Sequence, residues 1–290
     1  MWKTHGSPEN SEEIEVTVNG GLSVLSAFFN GKGAAVTIDL PMMTTVARSR
    51  RSVLSNAVSK TLEFMDRRYG TGMDYSVTTR SRIPMENGLK SSSAMTLSVI
   101  YGITQLNDLN LEEHKLLKTA AEASVYNGTS ITGALDDLCA CYYGGFCHTD
   151  NTTMEMLERR DVESDPVLVA YSLNGRKSRD IDLSTFAIYR KRSAEIQRLI
   201  ERGDIYGAMV YNGTLISAIN GGDMEKVSYF LRHGATHSSQ SGKGPAIFAI
   251  FADMDELNNA YSEFTEISGG WGILKTSITD QGMVSRRIER

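Results

Sequence analysis

Residues 95–106 place the strongest constraint on how this chain can fold. Met95, Leu97, Val99, Ile100, Ile103 and Leu106 spread apolar side chains around most of a helix, so that helix has to be covered on nearly every side. Ahead of it, Asp74 to Arg82 alternates apolar and polar residues as a half-buried strand does. The two are joined by Pro84-Met85-Glu86-Asn87-Gly88-Leu89-Lys90-Ser91-Ser92-Ser93-Ala94, which reads as a loop. A loop that delivers the chain from a strand into a buried helix directs its amides, and those of the first helical turn, into one small volume, and anions bind there. Glycine lets backbone approach a phosphate closely, a serine hydroxyl can ligate magnesium, and Lys90 can add a point charge. The same string also reads as a serine-rich N-cap on an ordinary core helix.

Elsewhere, alternation predicts a strand over 14–18, further strands read over 34–40, 44–47, 167–172, 272–278 and 283–287, and 246–252 reads as a buried strand. Three-and-four spacing predicts a helix over 52–69, and helices also read over 22–29, 111–126, 132–142, 193–201, 206–220, 224–233 and 257–264. Gly144-Gly145 ends the helix over 132–142, and Asp280-Gln281-Gly282 forms the turn between the last two strands. The charged stretch Glu155 to Asp165 marks a boundary between two domains, 1–160 and 161–290.

With 290 residues and 41% apolar content the chain can build a sizeable core. Its 30 basic and 35 acidic residues give a net charge of -5, which argues against a general electrostatic grip on nucleic acid and for small-molecule partners. No apolar run approaches the ~20 residues that cross a bilayer, and Met1 to Glu13 is a polar lead-in without the apolar core of a secretory signal. The three cysteines, Cys139, Cys141 and Cys147, make a poor disulfide framework and point to a reducing compartment. With His148 they form C-x-C-x5-C-H, which is no recognised zinc spacing, so they read as core residues.

Pro84-x3-Gly88-Leu89-x-Ser91-Ser92-x-Ala94 resembles the phosphate-loop motif of the GHMP kinase superfamily. Ser241-Gly242-Lys243-Gly244-Pro245-Ala246 resembles its C-terminal glycine-rich motif, and Gly133-Ala134-Leu135-Asp136-Asp137 its acidic segment. Within the superfamily the details are most similar to archaeal-type shikimate kinases, where lysine replaces the middle glycine of Gly-Leu-Lys-Ser-Ser-Ser. Asn30 to Ala35, Ile38-Asp39-Leu40, Ser130 to Asp137, Thr149-Asp150-Asn151 and Ala208 to Gly213 agree with that group, and the resemblance spans residues 15–255. The Pro-Gly-Arg-Val motif of other members is missing, which weakens a galactokinase or mevalonate kinase reading.

The resemblance implies an α+β, two-domain GHMP-kinase-like fold, with a ribosomal-protein-S5-domain-2-like N-terminal part and a ferredoxin-like C-terminal part. It implies a cytoplasmic ATP-dependent phosphotransferase whose acceptor is a small hydroxylated acid, shikimate. The alternatives are a homoserine- or mevalonate-type kinase, or a non-catalytic nucleotide-binding member of the fold. Glu86, Asn87, Gly88, Leu89, Lys90, Ser91, Ser92, Ser93 and Ala94, with Ser241, Gly242, Lys243 and Gly244, would hold ATP, and Ser92 would ligate Mg2+. The catalytic aspartate is Asp136 counting forward from Gly133 and Asp137 counting back from Gly144-Gly145, with Asp137 favoured. Successive helical residues face about 100° apart, so only one of them can point at a substrate. An acid in that first turn also complements the helix dipole by about 0.3–1 kcal/mol. The shikimate carboxylate needs a basic partner, for which Arg48, Arg50, Arg51 and Arg179 are candidates that read equally as surface charges.

Overall fold

The computed structural model describes residues 12–49, 53–175 and 183–289. The chain runs β1 (Glu12–Leu25), β2 (Lys32–Arg48), α1 (Asn56–Tyr69), β3 (Tyr75–Ser81), α2 (Ser91–Leu106), α3 (Glu113–Tyr126), α4 (Leu135–Tyr143), β4 (Phe146–Asp150) and β5 (Glu155–Arg160). It continues with β6 (Pro166–Ser172), α5 (Leu183–Ile188), α6 (Arg190–Glu201), α7 (Ile205–Asn220), α8 (Met224–Arg232), β7 (His237–Gln240), β8 (Ile247–Ile250), α9 (Met254–Ile267), β9 (Trp271–Ser277) and β10 (Val284–Glu289).

The first antiparallel sheet has the order β10-β1-β2-β4-β5, with β3 also paired to β2. α2 and α4 pack on β1 and β2, while α1 and α3 cover α2 from outside. Leu97, Ile100 and Ile103 of α2 are fully buried, as expected of a helix apolar all round. Buried hydroxyls in its middle are satisfied internally: Ser98 Oγ donates to Thr44 Oγ1 at 2.9 Å, and Asn127 Nδ2 donates to Thr61 and Thr96. The second antiparallel sheet, β7-β8-β6-β9, is covered by α8 and α9. α7 bridges the two sheets by packing on both β7 and β1.

Two sequence expectations are corrected, and the last two strands take partners that the sequence leaves open. The helix expected over 22–29 is absent, because β1 continues to Leu25 and pairs with Ala34 to Ile38. Gly20-Gly21 marks a shift of register and not a break; packed on both faces, this strand reads as a continuous apolar run whose period is ambiguous. The strands expected on either side of Pro41 are one strand, β2, since Pro41 lies opposite Asn19 where the register shifts and its missing N–H breaks no regular ladder. The last two strands enter different sheets: β9 pairs with β6, whereas β10 pairs with β1. The unit expected over 161–290 therefore gives its final strand to the first sheet, and β5 occupies much of the charged stretch expected at the boundary.

Alanine ordinarily stabilises a helix interior by about 1 kcal/mol over glycine. At Gly102 of α2, however, a Cβ would lie 2.5 Å from Val46 Cγ2 on β2, and overpacking costs about 1–3 kcal/mol. Gly102→Ala is therefore expected to lower stability in urea denaturation by about 1 kcal/mol net. Val46→Ala should cost less in that background than alone.

Candidate active site

The loop between β3 and α2 folds as its sequence requires. Gly88 has φ +80 and Lys90, the residue before α2, has φ 69. Lys90 gives the helix no side-chain cap. Among the described residues no protein acceptor takes the amides of Ser91, Ser92 and Ser93. Their side chains, with Glu86, Gly88 and Lys90, line a cavity of about 670 Å³. Unpaired amides at the positive end of a buried helix make an anion site.

Gly242, Lys243 and Gly244 line the same cavity, so the structure brings the two glycine-containing loops together. A Cβ on Gly88 would lie 2.3 Å from the Ser241 carbonyl oxygen, so the two backbones meet where only glycine fits. Four of the expected cofactor-binding side chains do not line the cavity. Leu89 and Ala94 are fully buried in the core. Asn87 is consumed by β6, donating to Ser172 O at 3.2 Å and accepting from Ser172 N at 2.9 Å. Ser241 Oγ donates to Gly88 O at 2.9 Å and accepts from Ser23 N at 3.3 Å, which ties both loops to β1.

Opposite the loop, Gly133 (φ 81) and Ala134 (φ 50) turn the chain sharply into α4, and both acids of its first turn line the cavity. Asp137 Oδ1 lies 2.6 Å from Lys90 Nζ, which also donates to Ser23 Oγ. The loop lysine thus faces a carboxylate. Burial alone would lower its pKa, but Asp137 and then Asp136 hold the ammonium above the ordinary lysine value. Asp136 is 6% exposed and accepts from Asn151 Nδ2 at 2.9 Å. Thr149 Oγ1 donates to Asn151 Oδ1 at 2.6 Å, and Asn151 N donates to Gly31 O at 2.8 Å. A Cβ on Gly33 would fall 2.4 Å from Asp136 Cγ, so this glycine makes room for the acid. Burial, and then the charge of Asp137, push Asp136 up to about 7, against the opposing effects of Lys90 and Asn151.

The remaining wall carries Ser23, Ser26, Phe28, Thr129, Ser130, Thr132, Thr185, Phe186 and Asn220. Phe186 of α5 packs edge-on against Phe28 at 5.2 Å. Asn212 of α7 accepts from Ser26 N at 2.9 Å, which fixes the chain after β1. Sequence reasoning assigned no role to Ser23, Ser26, Asn151 or Asn212. The segments 149–151 and 208–213 had stood out by resemblance, and hydroxyls and amides at those positions were the available signal. Arg48 does not reach the cavity, since it donates to Leu106 O and Asn107 Oδ1 and stacks over Tyr75. Arg50, Arg51 and Arg179 lie outside the described residues. All three cysteines are buried, and burial pushes their thiols up.

Residues 56–145 match the family described as GHMP kinases N terminal domain. A shikimate kinase of Thermoplasma acidophilum is 38% identical over 92% of this chain and 96% of its own length. One from Pyrococcus furiosus is 31% identical over 86% of this chain and 95% of its own. Among solved structures, homoserine kinase from Cytophaga hutchinsonii superposes with TM-score 0.69 at 18% identity, covering 98% of this chain and 100% of that one. A mevalonate kinase from L. major in complex with R-mevalonate gives 0.70 at 12% identity, covering 92% and 96%. These two likenesses establish the fold. The chain belongs to the GHMP kinase superfamily and has its two-domain α+β architecture. Within that superfamily, the curated relatives it matches over most of its length are archaeal shikimate kinases.

Lys90 keeps only 7% of its side chain exposed. Removing one member of a buried ion pair costs about 3–5 kcal/mol. Because Asp137 retains 18% exposure, Lys90→Met is expected to cost about 3 kcal/mol in denaturation experiments. Adding Asp137→Asn to that variant should restore most of the loss, and equal stability of the single and double variants would refute the pairing.

Proposed function

We propose that this chain is a shikimate kinase, transferring the γ-phosphoryl group of ATP to the 3-hydroxyl of shikimate in aromatic amino acid (chorismate) biosynthesis. The observation that carries this reading is the pairing of near-full-length similarity to shikimate kinases with one cavity whose helix amides, without a protein acceptor among the described residues, face the adjacent acids Asp136 and Asp137. Phosphoryl transfer depends mainly on positioning and charge neutralisation, with a carboxylate at the acceptor hydroxyl. The cavity supplies these elements from this chain's own residues.

The ATP phosphates would lie on the amides of residues 88–93, with Gly242, Lys243 and Gly244 closing over them. The left-handed turn at Gly88 and the uncapped first turn of α2 fit such a polyanion. Mg2+ would be held by phosphate oxygens and the exposed Ser92 hydroxyl, since magnesium keeps most of its other ligands as water. When bound it would neutralise charge on the transferring group. Asp137, fixed by Lys90, would orient the acceptor hydroxyl. Three free thiols favour a cytoplasmic, reducing location, and no helix among the described residues is long and apolar enough to cross a membrane.

A substrate panel followed by ADP release tests the reading, with shikimate expected to be the acceptor that supports turnover. Asp137→Asn should lower turnover by at least about 10²-fold while ATP still binds. If homoserine or mevalonate supports ADP release and shikimate does not, the acceptor assignment is overturned.

A further inference from the structure

We infer that the two adjacent acids divide the chemistry, with Asp137 orienting the acceptor hydroxyl while Asp136, fixed by Asn151, takes its proton. This rests on the kinase reading above. Asp137 is matched to an ammonium at 2.6 Å, so its carboxylate is already engaged by a largely buried cation. Among the described residues Asp136 forms no ion pair of its own. Its partner is a neutral amide, Asn151 Nδ2, on Oδ1, and that amide is oriented in turn by Thr149. Gly33 leaves just enough space for the carboxyl group, so Asp136 is held at the cavity wall from two sides.

The titratable groups that face Asp136 are Asp137 and Cys139 on α4, Lys90 from the loop before α2, and Cys147 on β4. Both thiols are pushed up by burial and stay neutral near neutral pH, so Lys90 and Asp137 are the charges Asp136 senses. Burial and the Asp137 charge poise it near neutrality, where a general base is most effective. In the step, the acceptor O–H bond breaks and its proton passes to the Asp136 carboxylate. The acceptor oxygen bonds to the γ-phosphorus as the bond from that phosphorus to the β,γ-bridging oxygen breaks, and its electron pair leaves with ADP. Lys90 keeps its proton throughout. Asp136 then releases its proton to solvent.

The test is the pH profile of kcat/KM for the wild type, Asp136→Asn and Asn151→Ala. The wild type should lose activity as pH falls through about 7. Asp136→Asn should lose about 10²–10⁴-fold in kcat and the acid limb with it, while nucleotide affinity is unchanged. Asn151→Ala removes a hydrogen bond to the charged form, so its limb should move to higher pH. A second readout uses the nucleotide-free protein. An acid whose folded pKa lies above the unfolded value stabilises fully below about 4, and that contribution is lost as pH rises through about 7. Asp136→Asn should remove this fall in stability and Asn151→Ala should extend it upward. The proposal is overturned if Asp136→Asn keeps the limb, or lowers thermal stability while kcat is retained. Absence of shikimate-dependent ADP release in the wild type would instead sink the functional reading, and the stability profile distinguishes the two failures because it needs no turnover.

Discussion

The contact between Lys90 and Asp137 organises the site. It joins the loop before α2 to the first turn of α4, and through Ser23 it reaches β1. The lysine stem passes over Gly21, where a Cβ would stand 3.3 Å from Lys90 Cγ and 2.8 Å from Val36 O. Lys90 also stands at the N-cap of α2 in a left-handed conformation, and an ammonium, which only donates, cannot cap the helix. Among the described residues the first-turn amides are therefore left without a protein acceptor. One residue thus does two things: it holds a carboxylate, and it leaves the anion site beside it uncapped.

The phosphate loop depends equally on the second sheet. Ser172 of β6 holds Asn87, Ser241 holds the Gly88 carbonyl, and Ala246 N donates to Asn87 O at 3.1 Å. The loop comes from the first unit, yet its shape is set by backbone and side chains of the other. Any displacement between the units would reach Gly88 directly, with no intervening flexible segment.

Much of this was legible in the sequence. The all-round apolar pattern of residues 95–106 identified the buried helix, and the glycine, serine and aspartate strings identified the elements that line the cavity. Local patterns could not reveal which side chains turn inward. Asn87, Leu89 and Ala94 share a motif with Ser92, but packing decides that they face β6 or the core. The partnership of Lys90 with Asp137 joins positions far apart in the chain, so no spacing rule could announce it. Leu22 and Leu25 looked helical because a strand covered on both faces loses its alternation. The destination of residues 284–289 was invisible for a similar reason, as an exposed strand carries little information about which edge it will join.

The crossing of the C-terminus back to the first sheet has a mechanical consequence. The chain passes between the units twice, at 161–165 and again at 278–283, and the two passages are bonded to each other: Val162 N donates to Asp280 Oδ1 at 2.9 Å and Ile278 N to Asp165 O at 3.0 Å. A single tether would let one unit swivel freely. A doubled, cross-linked neck resists twisting of one unit against the other, so the two glycine loops, already bonded through Ser241 and Gly88, are held in register from both ends of the C-terminal unit.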